Sequence, residues 1–186
     1  PWYRHAPEQW IYPLQVIVCL LLIKQYWRSY DFTPFRGMII AALMGVIGIL
    51  AWILPGYLFN KMNMDEGWWK FFGFTAREGG FNPGQLVSPD TSTYWLLVAL
   101  RFLRMVIVVA IIEEVFWRGF LMRYFLDKDG DYWQQPFGKF SYKTYCLITF
   151  LFMVVHSPAD YFGAFIYGSI AYWVAVHTKS LAACIL

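Results

Sequence analysis

The chain has 186 residues, of which 59% are hydrophobic, 22% aromatic and only 15% charged, with a net charge of +3. A soluble domain carries about 45–50% apolar and about 25% charged residues, so this supply of charge is too thin to coat a water-soluble surface. The positive charge is spread out, with no basic run that could track a phosphate backbone, which argues against nucleic acid as a partner.

Long apolar runs place the chain among membrane proteins. The fold expected is all-α, a multi-pass transmembrane helical bundle with about six spanning helices, the last truncated. The first span is expected over residues 12–26. No small-residue cleavage site follows its apolar stretch, so it reads as a spanning helix rather than a signal peptide. A polar turn with Arg28, Asp31, Pro34 and Arg36 leads to a second span over residues 37–54, which Pro55-Gly56 should end. Residues 57–94 read as a long connection. It holds Trp68, Trp69, Phe71, Phe72 and the turn-rich Gly79-Gly80-Phe81-Asn82-Pro83-Gly84. So many aromatics suit the membrane interface, and a short interfacial helix is expected there.

The third helix, residues 93–126, is longer than a bilayer needs and should tilt or project. A polar loop over residues 127–139 precedes a fourth span over residues 141–156. Ser157-Pro158-Ala159-Asp160 then breaks the chain, because proline disfavours helix at the residue before it. A fifth span is expected over residues 161–176, followed by the turn His177-Thr178-Lys179. Ser180 is the N-cap candidate of a sixth helix. The start at Pro1 and the stop at Leu186, inside an apolar run, read as marks of a fragment. One membrane domain is expected, with a hairpin and aromatic loop over residues 1–94 and a helical core over residues 95–186.

The odd-numbered loops hold Lys24, Arg28, Arg36, Arg123, Lys128, Lys139, Lys143 and Lys179. The other side has Lys61, Lys70 and Arg77, so the odd loops are expected in the cytoplasm. Cys19, Cys146 and Cys184 sit in apolar segments and are odd in number. They read as small core or lipid-facing residues, not as a disulfide framework or a zinc knuckle.

The chemistry concentrates in Ile111-Ile112-Glu113-Glu114-Val115-Phe116-Trp117-Arg118-Gly119-Phe120-Leu121, directly after an apolar run. A charge at the bilayer centre costs at least about 2.5–3.5 kcal/mol, so such residues face the bundle interior and find partners. On a helix Glu114 and Arg118 are i, i+4 neighbours, while Glu113 points about 100° away from Glu114. Arg118 can neutralise one carboxylate, and the other can face a cavity with a raised pKa, suited to general-base work. An isolated string of this kind is more often an ordinary salt bridge near a helix end. Its place after an apolar run favours chemistry.

His156 ends the fourth span; His5 lies in the N-terminal tail and His177 in a turn. A Glu and a His on facing helices can activate a water, or supply two ligands of a zinc site. The metal-free reading is preferred, with Glu113 and His156 the ligands if zinc is present. Other intramembrane protease signatures are lacking. There is no His-Glu-x-x-His helix, Gly168-Ser169 does not fit a serine nucleophile, and Asp129-Gly130-Asp131 lies in a loop.

Glu113-Glu114-Val115-Phe116-Trp117-Arg118-Gly119-Phe120-Leu121 resembles the first motif of the CPBP family of intramembrane proteases. That family comprises CAAX proteases and bacteriocin-processing enzymes and is also called Abi. Phe152-x-x-x-His156 is similar to its second motif, and Gly80-Phe81-Asn82-Pro83 suggests the bacterial CAAX prenyl protease-related branch. The resemblance covers residues 95–186. It implies that Glu113 is the general base on the attacking water with His156 assisting, and that Arg118 balances charge with Glu114. It implies an endopeptidase of the bacterial inner membrane, acting on a membrane-associated or CAAX-like, lipidated substrate in the bilayer. The family's later His and Asn, four apart, are not matched by His177-Thr178-Lys179-Ser180-Leu181, so the fragment itself is expected to be inactive. The rivals are a non-catalytic scaffold or an immunity or assembly factor of the same fold, and a small transporter with Glu113, Glu114 and Arg118 lining its path.

Overall fold

The computed structural model describes residues 7–76, 84 and 87–186. The expected turn residues Gly79, Gly80, Phe81, Asn82 and Pro83, together with Arg77 and His5, lie outside the described residues.

Among the described residues the chain is all-helical. The helices are α1 (Pro7–Gln25), α2 (Met38–Lys61), α3 (Ser92–Tyr124), α4 (Tyr142–Val154), α5 (Tyr161–Thr178) and α6 (Leu181–Ile185). Two of them, α2 and α3, are long and apolar enough to cross a membrane. Only 17% of the apolar window of α2 and 11% of that of α3 are buried. The core helix of a soluble protein would be mostly buried. Here Ile39, Leu43, Leu50, Leu96 and Phe102 point outward instead. An apolar surface of that extent is stable against lipid and not against water.

Local chemistry sets the helix ends. Thr91 caps α3 by accepting from the Tyr94 N–H at 3.3 Å. Ser141 caps α4 in the same way, accepting from the Thr144 N–H at 3.4 Å. Ser180 caps α6, accepting from the Ala183 N–H at 3.3 Å, as the sequence predicts. Lys179 leaves α5 in the left-handed region, at φ 52°.

Three sequence expectations need correction. Pro55-Gly56 does not end the second helix, which runs on to Lys61. Both residues are buried. Gly73, at φ 82°, brings the following connection against the Pro55 ring, where a Cβ on Gly73 would stand 3.2 Å from Pro55 Cβ. Packing of this kind stabilises a helix that propensity alone would stop. The fifth helix extends to Thr178, so His177 is helical rather than in a turn. The third helix is not uniformly α: it passes through π-helical stretches at Arg104–Val109 and Val115–Leu121. The expected interfacial helix is a short 3-10 turn, Trp68–Phe72, with all its aromatic side chains exposed.

The chain packs as two units, Pro1–Tyr30 with Glu78–Glu113, and Asp31–Arg77 with Glu114–Leu186. In the first, α1 lies against α3, and Arg104 Nε donates to Gln15 Oε1 at 3.1 Å. In the second, α5 is central, with α2 on one side and α4 on another. Small residues bring these helices close, the packing mode expected in lipid. A Cβ on Gly48 would meet the Tyr167 ring at 2.8 Å, and one on Gly163 would meet the Trp52 indole at 2.8 Å. Trp117, Met122, Ile148, Phe152, Ala164 and Tyr172 form the centre of this unit.

Candidate active site

The π-helical stretch Val115–Leu121 begins directly after Glu114, and its closing N–H, that of Met122, reaches the Trp117 carbonyl five residues back. Irregular turns of this type often occur at functional sites. Around this one Glu114, Trp117 and Arg118 are all buried.

Arg118 is wholly buried, at 0% exposure, and Glu114 is 3% exposed. Arg118 Nη1 donates to Glu114 Oε1 at 2.7 Å, realising the i, i+4 pair that the sequence predicts. Arg118 Nη2 reaches the Gly168 carbonyl on α5 at 3.5 Å. The guanidinium carbon lies 5.3 Å from the centre of the Phe152 ring on α4, a buried cation–π contact. Arg118 Nε has no hydrogen-bond partner among the described residues. A buried arginine is stable only when its charge is matched, and Glu114 matches it.

Phe152 carries the arrangement to the second motif. Its ring centre is 4.7 Å from that of His156. The His156 Nδ1 lies 2.6 Å from the Phe152 carbonyl. A carbonyl only accepts, so in the neutral ring Nδ1 carries the proton and Nε2 keeps a free lone pair. The edge of Trp52 on α2 meets the same imidazole at 5.1 Å. His156 itself is half-buried, two residues beyond the end of α4.

The structure therefore brings Glu114, Arg118 and His156 into one network through Phe152. Glu113 is half-buried and is the last residue of the first unit, whereas the network belongs to the second.

Sequence reasoning missed two members of the surroundings. Trp52 Nε1 donates to Asp160 Oδ1 at 2.8 Å, and Ser157 Oγ donates to Asp160 Oδ2 at 2.7 Å. Asp160 thus ties α2 to the turn that follows His156. The available signal was that Asp160 is the one acidic residue after Asp131. The exposed Trp68–Phe72 turn packs against the Pro158–Asp160 turn, with Phe72 5.8 Å from Phe162.

Among the described residues no group of three or more His, Cys, Asp or Glu side chains could hold a metal ion. Catalytic zinc sites take three protein ligands. The described residues bring together fewer than that.

Residues 95–186 match the family described as type II CAAX prenyl endopeptidase Rce1-like. No curated protein and no solved structure matches the chain.

Proposed function

Since residues 95–186 belong to the Rce1-like family of type II CAAX prenyl endopeptidases, a family of membrane proteases, we propose that this chain is an intramembrane endopeptidase. Its substrate is a membrane-associated, CAAX-like protein, and the attacking water is activated by Glu113 and His156. The observation that carries this reading is the contact between His156 Nδ1 and the Phe152 carbonyl. With Nδ1 engaged by the Phe152 carbonyl at 2.6 Å, Nε2 is the atom that can accept a proton or hold a water.

In this reading the half-buried Glu113 takes the proton from the water as it attacks the scissile carbonyl. His156 Nε2 orients that water. The leaving amine then receives the proton from Glu113. Glu114 and Arg118 serve as positioning residues: the ion pair fixes Phe152 from one side, and Phe152 and Trp52 fix the imidazole plane. An apolar bundle keeps bulk water away from the bond being cleaved, which strengthens each of these electrostatic contacts. The home membrane is the bacterial inner membrane.

The test is cleavage of a prenylated CAAX peptide by the full-length protein reconstituted in lipid. Glu113→Ala and His156→Ala are each expected to abolish product while expression and thermal stability stay at wild-type level. Wild-type rates in either variant would rule the mechanism out. Absence of cleavage in every form, with intact folding, would favour a non-catalytic scaffold.

A further inference from the structure

The second unit holds another pair of cavities, at the opposite end of α4 from His156. Tyr145 and His156 are eleven positions apart, about 16 Å along a helix. One cavity, of about 640 Å³, is lined by Arg123, Lys139 and Lys179, with Asp31 the one acidic residue in its wall. Three cations against one anion leave a surplus of two positive charges.

Arg123 is only 6% exposed and pairs with Asp31. Its guanidinium carbon stands 5.7 Å from the Trp133 ring centre and 5.6 Å from that of Phe137. Its Nε has no hydrogen-bond partner among the described residues. Lys139 donates to Gln135 Oε1 at 3.2 Å, and Lys179 donates to the Gly138 carbonyl. An ammonium has three protons to donate, so each lysine keeps donors for a ligand. A buried guanidinium flanked by two exposed lysines suits the oxygens of a phosphate.

Phe140 lines this cavity and also the next one, of about 360 Å³, whose walls include Tyr142, Tyr145, Tyr172, Trp173 and Val176. That second space is mostly aromatic and aliphatic, with Ser169 and His177 its other lining residues, and suits a hydrocarbon chain. Phe140 and Tyr142, at the shared edge, are 62% and 73% exposed, and Trp133, beside Arg123, is 51% exposed. Exposed aromatics at this density mark the headgroup level of a bilayer.

We propose that the two cavities form one site for an anionic phospholipid. The phosphate lies among Arg123, Lys139 and Lys179, and an acyl chain passes Phe140 into the aromatic groove. A free phosphate would use the basic half alone, and a neutral lipid the apolar half alone. The shared wall at Phe140 favours a molecule that has both parts.

The test uses the full chain in phosphatidylcholine nanodiscs doped with phosphatidylglycerol, reading retained lipid by native mass spectrometry. Phosphatidylglycerol is expected to be retained in preference to phosphatidylcholine and to resist displacement by excess inorganic phosphate. In the double variant Lys139→Gln/Lys179→Gln that preference should fall about thirtyfold, the scale of two lysines near an anionic surface. Both lysines are exposed, and the Arg123–Asp31 pair remains, so the variant keeps its fold. Equal retention of the two lipids, or an unchanged preference in the double variant, would overturn the proposal. Full displacement by inorganic phosphate would overturn the lipid assignment in favour of a soluble phosphate ligand. Neither result bears on whether the chain cleaves peptides.

Discussion

Arg118 lies over the ring of Phe152, with its guanidinium carbon 5.3 Å from the ring centre, and the same ring stands 4.7 Å from His156. One aromatic side chain thereby couples a buried charge to an imidazole. Truncating Phe152, which is 1% exposed, is expected to cost about 3–5 kcal/mol of stability. Phe152→Leu keeps much of the volume but loses the ring contacts with Arg118 and His156. It should cost less stability and yet reduce cleavage, and denaturation in mixed micelles read beside peptide turnover checks both. If Phe152→Leu turned over at the wild-type rate, the aromatic link would be packing alone.

The Glu114–Arg118 pair makes a sharper test. Removing one partner of a buried pair leaves an uncompensated charge and costs about 3–5 kcal/mol. Glu114→Gln should therefore destabilise the protein strongly. The double variant Glu114→Met/Arg118→Met removes both charges and should recover most of that loss. It should not recover cleavage, because Phe152 loses the guanidinium that holds it. A double variant no more stable than Glu114→Gln would show that the pair is not matched in the way its 2.7 Å contact indicates.

Much of this site was legible in the sequence, because two intramembrane carboxylates and an arginine at i, i+4 leave few other arrangements. The cap at Ser180 was legible for the same local reason, a hydroxyl next to a free N–H. The run of α2 through Pro55 was not, because it depends on Gly73 packing against the proline from a different part of the chain. Nor were the π-helical stretches in α3, since no residue type encodes them. The partnership of Trp52 with Asp160 spans 108 positions, beyond the reach of any local pattern.

That partnership leads to a prediction about positioning. Trp52→Phe keeps an aromatic edge near His156 but removes the 2.8 Å hydrogen bond to Asp160. Bonds to charged acceptors contribute about 1.5–3 kcal/mol, so stability should fall by up to that amount. The turn after His156 loses its tie to α2, and turnover should fall more than substrate binding does. Equal losses in kcat and in binding would indicate a general structural role. Asp160→Asn, which keeps one acceptor for the indole, should restore part of the activity lost in Asp160→Ala.

Close helix packing gives the last prediction. A Cβ on Gly163 would meet the Trp52 indole at 2.8 Å and the Trp52 Cα at 3.1 Å. The second contact is backbone, so α2 and α5 must separate to admit alanine. A Cβ on Gly168 would press on the edge of the Phe152 ring at 3.2 Å and stand in ordinary contact with the Thr149 methyl at 3.7 Å. That ring can shift by a few tenths of an ångström, at the expense of its tilted contact with His156. Overpacking typically costs about 1–3 kcal/mol. Gly163→Ala should lie at the upper end and Gly168→Ala at the lower, as thermal unfolding in detergent will show. Activity should run in a different order from stability: Gly168→Ala stays folded but moves Phe152, and so loses cleavage out of proportion to its stability. If Gly168→Ala cleaved normally, the orientation of Phe152 would not control His156.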